Sequence, residues 1–209
     1  MSSLLSNNKI FHSSPDLRED LPPSFIFKKA VTEEEYSAIY KSRLDICQKD
    51  FPYILDFSGD FPAKDIFDDY STLFYVTDNN KVVASCRITP YKNGEWEISS
   101  SMPDNVKLTV DKDKAIQLNR VYIEEKYRNQ NLHAFMFYHF SEWVLKNTKF
   151  ITYFAICKIG LVRLYKNIGA SLVNDEGFSL QGRGGHQYYI VSGRIDDFNF
   201  IIKNKFLKK

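Results

Sequence analysis

The sequence has no excess of charge of either sign. Its 28 Lys and Arg face 26 Asp and Glu, a net charge of +2, so the electrostatic footprint of a nucleic-acid binder is missing. Long hydrophobic runs are missing too: no stretch of about 18 apolar residues occurs, which excludes a conventional helical membrane span. The segment from Met1 to Pro23 has no basic start followed by an apolar run, so a signal peptide is not expected. Cysteine is scarce. The odd count of Cys47, Cys86 and Cys157 rules out a complete internal disulfide framework, and their wide spacing offers no metal-ligand pair. They read as buried thiols of a reducing compartment, so a cytoplasmic location and no metal are expected. Repeats and low-complexity tracts are also lacking. What remains is the composition of one ordinary globular domain, with 209 residues, 44% hydrophobic and 26% charged. Seventeen Phe and thirteen Tyr supply apolar bulk for a core or for a binding tunnel.

Residues 1 to 23 read as a flexible arm whose only apolar cluster is Leu4, Leu5, Ile10 and Phe11, ahead of a domain over 24 to 209. Phe25-Ile26-Phe27 leading to Ala30-Val31 predicts a strand. Thr32-Glu33-Glu34-Glu35 is a capping-box pattern, and Tyr36, Ile39, Tyr40, Leu44 and Cys47 follow at helical spacing, so a helix is expected over 32 to 49. Strands over 72 to 77 and 82 to 89 flank the turn Asp78-Asn79-Asn80-Lys81. Two more are expected at 94 to 101 and 114 to 123. A polar loop then leads into a long amphipathic helix through Leu145, followed by a strand from Phe150 to Cys157 and a short helix from Gly160 to Asn167 that Gly169 stops. Gln187 to Val191 is the last strand expected. This order predicts an α/β fold, a mixed sheet with helices on its faces.

A strand that runs directly into a polar loop and a helix N-terminus presents successive backbone N–H groups to an anion, and Arg128 to His133 occupy that junction. The stretch Leu118-Asn119-Arg120-Val121-Tyr122-Ile123-Glu124-Glu125-Lys126-Tyr127-Arg128 resembles motif A of the GNAT acyltransferases, where a strand precedes an Arg/Gln-x-x-Gly-x-Gly/Ala loop that holds a pyrophosphate. Leu164-Tyr165-Lys166-Asn167-Ile168-Gly169-Ala170 is similar to their tyrosine, basic, x, x, glycine, phenylalanine ending. Asn131 stands at the first glycine, His133 at the small residue and Ala170 at the phenylalanine. The resemblance implies a single GNAT-like domain with a mixed, mostly antiparallel sheet, a central parallel pair and helices on both faces. It also implies a thioester donor bound along Val121, Tyr122, Ile123, Arg128, Asn129, Gln130, Asn131, Leu132 and His133.

Further blocks look like those of the acyl-homoserine-lactone autoinducer synthases and the related N-acyl amino acid synthases. They are Tyr40-Lys41-Ser42-Arg43, Asp65-Ile66-Phe67-Asp68, Val83 to Pro90, and Gln117-Leu118-Asn119-Arg120. This second resemblance implies that Arg43, Asp65, Asp68 and Arg87 serve the substrate. It implies a donor carried as the phosphopantetheine thioester of an acyl carrier protein, or as acyl-CoA, with the carrier version matching the side chains of Asn131 and His133. Autoinducer synthases carry Glu where Gln117 stands and an aromatic at Cys47. Gln cannot accept a proton, so an N-acyl amino acid or acyl-peptide is expected rather than a lactone.

Attack of a neutral amine on a thioester needs a route for the amine proton, donors for the oxyanion and a proton for the thiolate. Backbone N–H groups near Val121 to Ile123 suit the oxyanion, and the motif places Tyr165 at the sulfur. Glu124, Glu97 or His186 would take the amine proton, with Arg120 beside them at the reacting centre.

Each of these residues also has a purely structural reading. Arg43, Asp65, Asp68, Arg87 and Arg120 suit an ion-pair network, and Tyr165 suits a core position. His133 and His139 read as exposed or capping residues, and Phe135, Phe137, Phe140 and Trp143 as a packed helix face. Gly182 to Gly185 reads as a hairpin turn, because the Walker lysine and its helix are missing, and Lys203 to Lys209 as a solvated basic end or a contact for an acidic carrier. The function expected is transfer of a long fatty acyl group from an acyl carrier protein or acyl-CoA to the amine of an amino acid or peptide. The alternatives are a short-chain acetyl-CoA-dependent N-acetyltransferase and a catalytically silent acyl-binding module.

Overall fold

Thr32 accepts the backbone N–H of Glu35 while the Glu35 carboxylate takes the N–H of Thr32, the reciprocal capping box that starts helix α1 (Glu33–Asp50). The computed structural model describes residues 24–52, 64–180 and 183–206; the expected arm over residues 1 to 23 lies outside them. Ahead of α1 runs β1 (Ile26–Lys29), and after it come β2 (Thr72–Asp78), β3 (Lys81–Pro90) and β4 (Ala115–Ile123). Helix α2 (Leu132–Asn147) leads to β5 (Thr152–Lys158) and helix α3 (Ile159–Asn167). The short strands β6 (Ser171–Leu172) and β7 (Phe178–Ser179), then β8 (Gln187–Arg194) and helix α4 (Ile195–Phe206), complete the described chain.

The eight strands form one sheet in the order β1-β2-β3-β4-β5-β8-β6, with β7 also on β8. All pairings are antiparallel except β4 with β5, so this is a single GNAT-like α/β domain with a central parallel pair. Strand alternation sends neighbouring residues of β2 to opposite faces. Leu73 and Tyr75 pack with Ile39 of α1, whereas Phe74 and Val76 join Phe135, Met136 and Phe140 of α2 and Phe198 and Ile202 of α4. Full burial of each large apolar side chain contributes about 1.5–3 kcal/mol, so the aromatic content is largely used in holding helices to both faces. Phe135, Phe137 and Phe140 are buried as the packed helix face expected of them, and all three cysteines are buried thiols.

Two expectations are corrected. No strand forms at 94 to 101. Asn93 (φ +55°) and Gly94 (φ +89°) turn the chain, Lys92 and Glu95 make one isolated bridge, and a 3-10 turn spans Ser99–Ser101. Trp96 and Ile98 instead anchor this segment in a second core with Phe154 and Ile190. Lys203 and Lys205 of the basic end are exposed, as expected, at the end of helix α4, an element not expected from the sequence, whose buried stripe is Ile195, Phe198, Asn199 and Ile202. Asn199 donates to Ser141 Oγ at 2.9 Å and so ties α4 to α2. His139 is neither exposed nor capping; its ring lies 5.3 Å from Phe27 and 4.5 Å from Phe135.

Candidate active site

β4 and β5 pair only from Ala115 with Thr152 to Leu118 with Ala155. Beyond Leu118, β4 stays with β3 and β5 stays with β8, so the two parallel strands part. The cause is visible in β4. Between the pairs Arg87–Asn119 and Ser85–Tyr122 the register shifts, so Arg120 and Val121 both oppose Cys86 and form a bulge. Arg120 there takes a left-handed backbone, φ +49°, rare for a long side chain and persisting only where neighbours hold it.

What holds it is a buried network. Arg120 pairs with Asp65 at 2.6 Å and approaches Glu97 at 3.5 Å. Arg87 contacts Asp65 at 2.6 Å, Asp68 at 3.0 Å and Glu97 at 3.3 Å, and Arg43 binds Asp68 at 2.9 Å. The expected substrate set of Arg43, Asp65, Asp68 and Arg87 is therefore brought together as an ion-pair network. Arg43, Asp68 and Arg87 are sealed from solvent within it. Asp65, with 14% side-chain exposure, and Arg120, with 11%, form its edge. Burial pushes the Asp65 carboxyl up, but Arg87 and Arg120 outweigh that and hold it below the usual carboxylate range. Burial likewise raises the Tyr122 phenol, beside Arg120 and Cys47.

The parted strands open onto a cleft of about 200 Å3. Its walls come from Phe51 after α1, Glu97 and Ile98, residues 117–122 of β4, residues 156–158 of β5, Leu161 of α3, and Leu180, Arg183 and Tyr188. Of the three expected proton acceptors only Glu97 lines it. Gln117 donates to Glu97 at 2.7 Å, so a carboxylate from the segment before β4 stands beside position 117. That loop reads as a strand in the sequence, which hides Glu97's approach to Gln117. Glu124 instead pairs with Lys81 outside the cleft, and His186 is exposed and does not line it. Tyr165 is also off the cleft surface, buried near Cys157, Tyr153 and Cys86, and this burial lifts its phenol well above the ordinary value. The Cys157 thiol, which does line the cleft, is pushed up to about 12 by burial.

At the other end of the site, Asn131 is the N-cap of α2 with φ +56°, and no side chain caps that terminus. Asn129 is left-handed too, at φ +67°. Asn tolerates this region, so it supplies the backbone conformation that the motif otherwise takes from glycine. The N–H groups of Leu132 and His133 begin the α2 terminus there. The His133 ring packs 6.3 Å from Phe137 and 6.1 Å from Phe206, and burial lowers its proton affinity. Arg128 is engaged within the chain. Its Nε donates to the Ile123 carbonyl and its guanidinium pairs with Asp50. Gln130 folds back onto the Lys126 carbonyl at 2.7 Å.

Residues 56–138 match the family model described as an acetyltransferase (GNAT) domain. No curated protein matches the sequence. Among solved structures, the acyl-homoserine-lactone synthase LasI superposes with a TM-score of 0.69 at 12% identity, covering 86% of this chain and 95% of its own. The CoA-dependent acyl-homoserine lactone synthase BjaI, solved with SAM and isopentyl-CoA, gives 0.62 at 12% identity over 83% of each chain. Escherichia coli ElaA gives 0.55 at 13% identity, over 81% of this chain and 99% of its own. With the parted β4 and β5 and the left-handed N-cap of α2, these likenesses establish that the chain has the fold of the GNAT acyltransferases.

Proposed function

We propose that the protein transfers an acyl group from a phosphopantetheine thioester, on coenzyme A or an acyl carrier protein, to a primary amine. The observation that carries this reading is the opening between β4 and β5 at Leu118 and Ala155, which leads into a cleft where Glu97 is the one carboxylate among the described lining residues. The thioester enters along the parted strands with its phosphates towards the Leu132 and His133 N–H groups, where the helix dipole favours negative charge. The amine nitrogen attacks the thioester carbonyl carbon and forms the C–N bond. Backbone N–H groups of β4 from Val121 to Ile123 stabilise the oxyanion. The C–S bond then breaks, the proton shed by the amine passes to Glu97, the thiolate takes one from Tyr165, and Glu97 and Tyr165 return to their starting forms by giving a proton to and taking one from water. The products are an amide and a thiol.

The aromatic side chains that suggested an acyl tunnel are packed in the cores, and about 200 Å3 is below the ~300–1,000 Å3 of sites that enclose drug-sized ligands. Both points favour short to medium acyl chains. Isopentyl-CoA bound to BjaI is in keeping with that range. The acidic and basic groups around Lys126 are balanced, since Lys49 pairs with Glu125 and Arg128 with Asp50, which weakens the case for carrier-protein steering at this loop. The test is thiol release from acyl-CoA of two to twelve carbons, and from the same chains on acyl carrier protein, with mass spectrometry of N-acyl products. No turnover with any donor would return the chain to a silent acyl-binding module. Preference for the carrier form would restore the carrier protein as partner.

A further inference from the structure

Ile156 and Lys158 of β5 line the cleft, and strand alternation puts Phe154 on the same face of the sheet, two residues deeper. There β5 is still paired with β4, Phe154 lying opposite Gln117. On β8, Tyr188 is opposite Lys158 and lines the cleft, and Ile190 is opposite Ile156. The cleft-wall residues Ile98, Ile156, Leu180 and Tyr188 therefore also belong to the second core, which holds Trp96 and Phe154. Trp96 stands edge-on to Phe154, with centroids 4.8 Å apart at 83°, and Tyr91 backs it at 5.3 Å. Both Trp96 and Phe154 are buried and neither reaches the cleft surface. The polar side chains Gln117, Asn119 and Arg120 come from β4, whereas Ile156, Leu180 and Tyr188 give an apolar side that leads down to this ring pair.

Resting on the acyl-transfer reading above, we infer that the acyl chain lies along β5 and β8 on this face, and that Trp96, packed on Phe154, closes the deep end and sets the chain length accepted. Each methylene that leaves water for this wall strengthens binding roughly fourfold until the chain meets the rings. A longer chain must push packed side chains aside, and a close-packed interior resists that. Trp96 is carried by a segment outside the sheet, so a smaller residue there leaves the strands in place and opens a cavity behind Ile98 and Phe154 that relaxes only in part. An apolar cavity of this kind stays dry and takes up hydrocarbon.

The test measures kcat/KM for acyl-CoA donors of four, eight and twelve carbons, with an equimolar mixture of the twenty L-amino acids as amine and thiol release as readout. Calorimetry follows binding of the matching S-alkyl-CoA thioethers, which have no acyl group to transfer. In the wild type the twelve-carbon donor should be at least 10-fold poorer than the best shorter one. Trp96→Ala should raise the ratio of twelve- to four-carbon use at least 10-fold, the effect of two or more extra methylenes at roughly fourfold each. Trp96→Leu keeps the core better filled and should raise it less. Trp143→Ala, on α2 against Phe74 and the other face of the sheet, should leave the ratio unchanged. The ratio cancels any loss of Glu97 alignment, which weakens all donors alike. A wild type that prefers twelve carbons, or a ratio that neither Trp96 variant moves, overturns the inference while turnover upholds acyl transfer. A shift in thioether chain-length preference in Trp96→Ala, without turnover by any protein, keeps this subsite and rejects the transferase reading. Absence of both binding and turnover rejects both.

Discussion

Arg120 reaches Asp65 at 2.6 Å across more than fifty positions of sequence, and this contact pins the left-handed residue that bulges β4 away from β5. The opening of the cleft and the burial of the charge network are therefore one structural event. A change in the network should be felt in both stability and turnover.

Asp68 serves Arg43 and Arg87 together, with no side-chain exposure. Asp68→Ala leaves two buried guanidinium groups short of a partner and should cost about 3–5 kcal/mol in urea unfolding, against about 1 kcal/mol or less for breaking the exposed Lys41–Asp45 pair by Asp45→Ala. Similar losses for both would mean the network is far better hydrated than its burial indicates.

His139 gives a pH signature. Burial pushes its imidazole down to about 4 from an ordinary 6.5, so the folded chain binds fewer protons than the unfolded one between those values. Its contribution to stability is full above pH 6.5 and is lost as pH falls towards 4, about 3 kcal/mol in all. His139→Phe, between Phe27 and Phe135, should flatten the decline of the denaturation midpoint from pH 7 to pH 4.5. An unchanged slope would assign the acid sensitivity elsewhere.

Asp65 acts lower on the scale. Its folded value lies below the unfolded one, so its stabilisation is present above about pH 4 and fades as pH falls through the depressed folded value. Asp65→Asn should remove part of the loss seen below pH 4 and leave the region from 4.5 to 7 to the buried imidazoles of His139 and His133. A variant whose profile changes only above pH 4.5 would contradict this assignment.

Asn131 carries φ +56° at the α2 N-cap. Asn131→Gly should be near neutral in thermal unfolding and tighten acyl-CoA binding by removing side-chain bulk near the phosphates. Asn131→Val forces a β-branched residue into the left-handed region and should cost about 1–2 kcal/mol. Weaker acyl-CoA binding by the glycine variant would show that the Asn131 side chain itself contacts the donor.

Glu97→Gln removes the carboxylate from the cleft while keeping its size. It should lower kcat by roughly 100- to 1,000-fold with little change in donor KM, the mark of a group needed for proton transfer. Tyr165→Phe should lower kcat by roughly 10- to 1,000-fold at constant donor affinity, because only the leaving thiolate needs its proton. Wild-type turnover in Tyr165→Phe would leave that residue to the core it occupies beside Phe137.

The sequence by itself determined what short-range physics writes into it. The capping box at Thr32 and Glu35, the period-two strands around Asp78 to Lys81, the aromatic face of α2 and the stop at Gly169 follow from local chemistry, and the order of elements with the motif from Leu118 to Arg128 sufficed for the GNAT fold. Helix α4 was legible too, since Ile195, Phe198, Asn199 and Ile202 carry its spacing, but the lysines after it masked the pattern. Only the tertiary structure decided which charges are buried and which carboxylate is in the cleft. Glu97 is not in a motif, and it reaches Gln117 because Asn93 and Gly94 turn the chain and Trp96 anchors it. His139 shows the same limit from the other side: a polar residue on an amphipathic helix reads as solvated until β1 and its Phe27 are laid over it. Side-chain spacing specifies local conformation, whereas desolvation and charge pairing depend on segments brought together from distant parts of the chain.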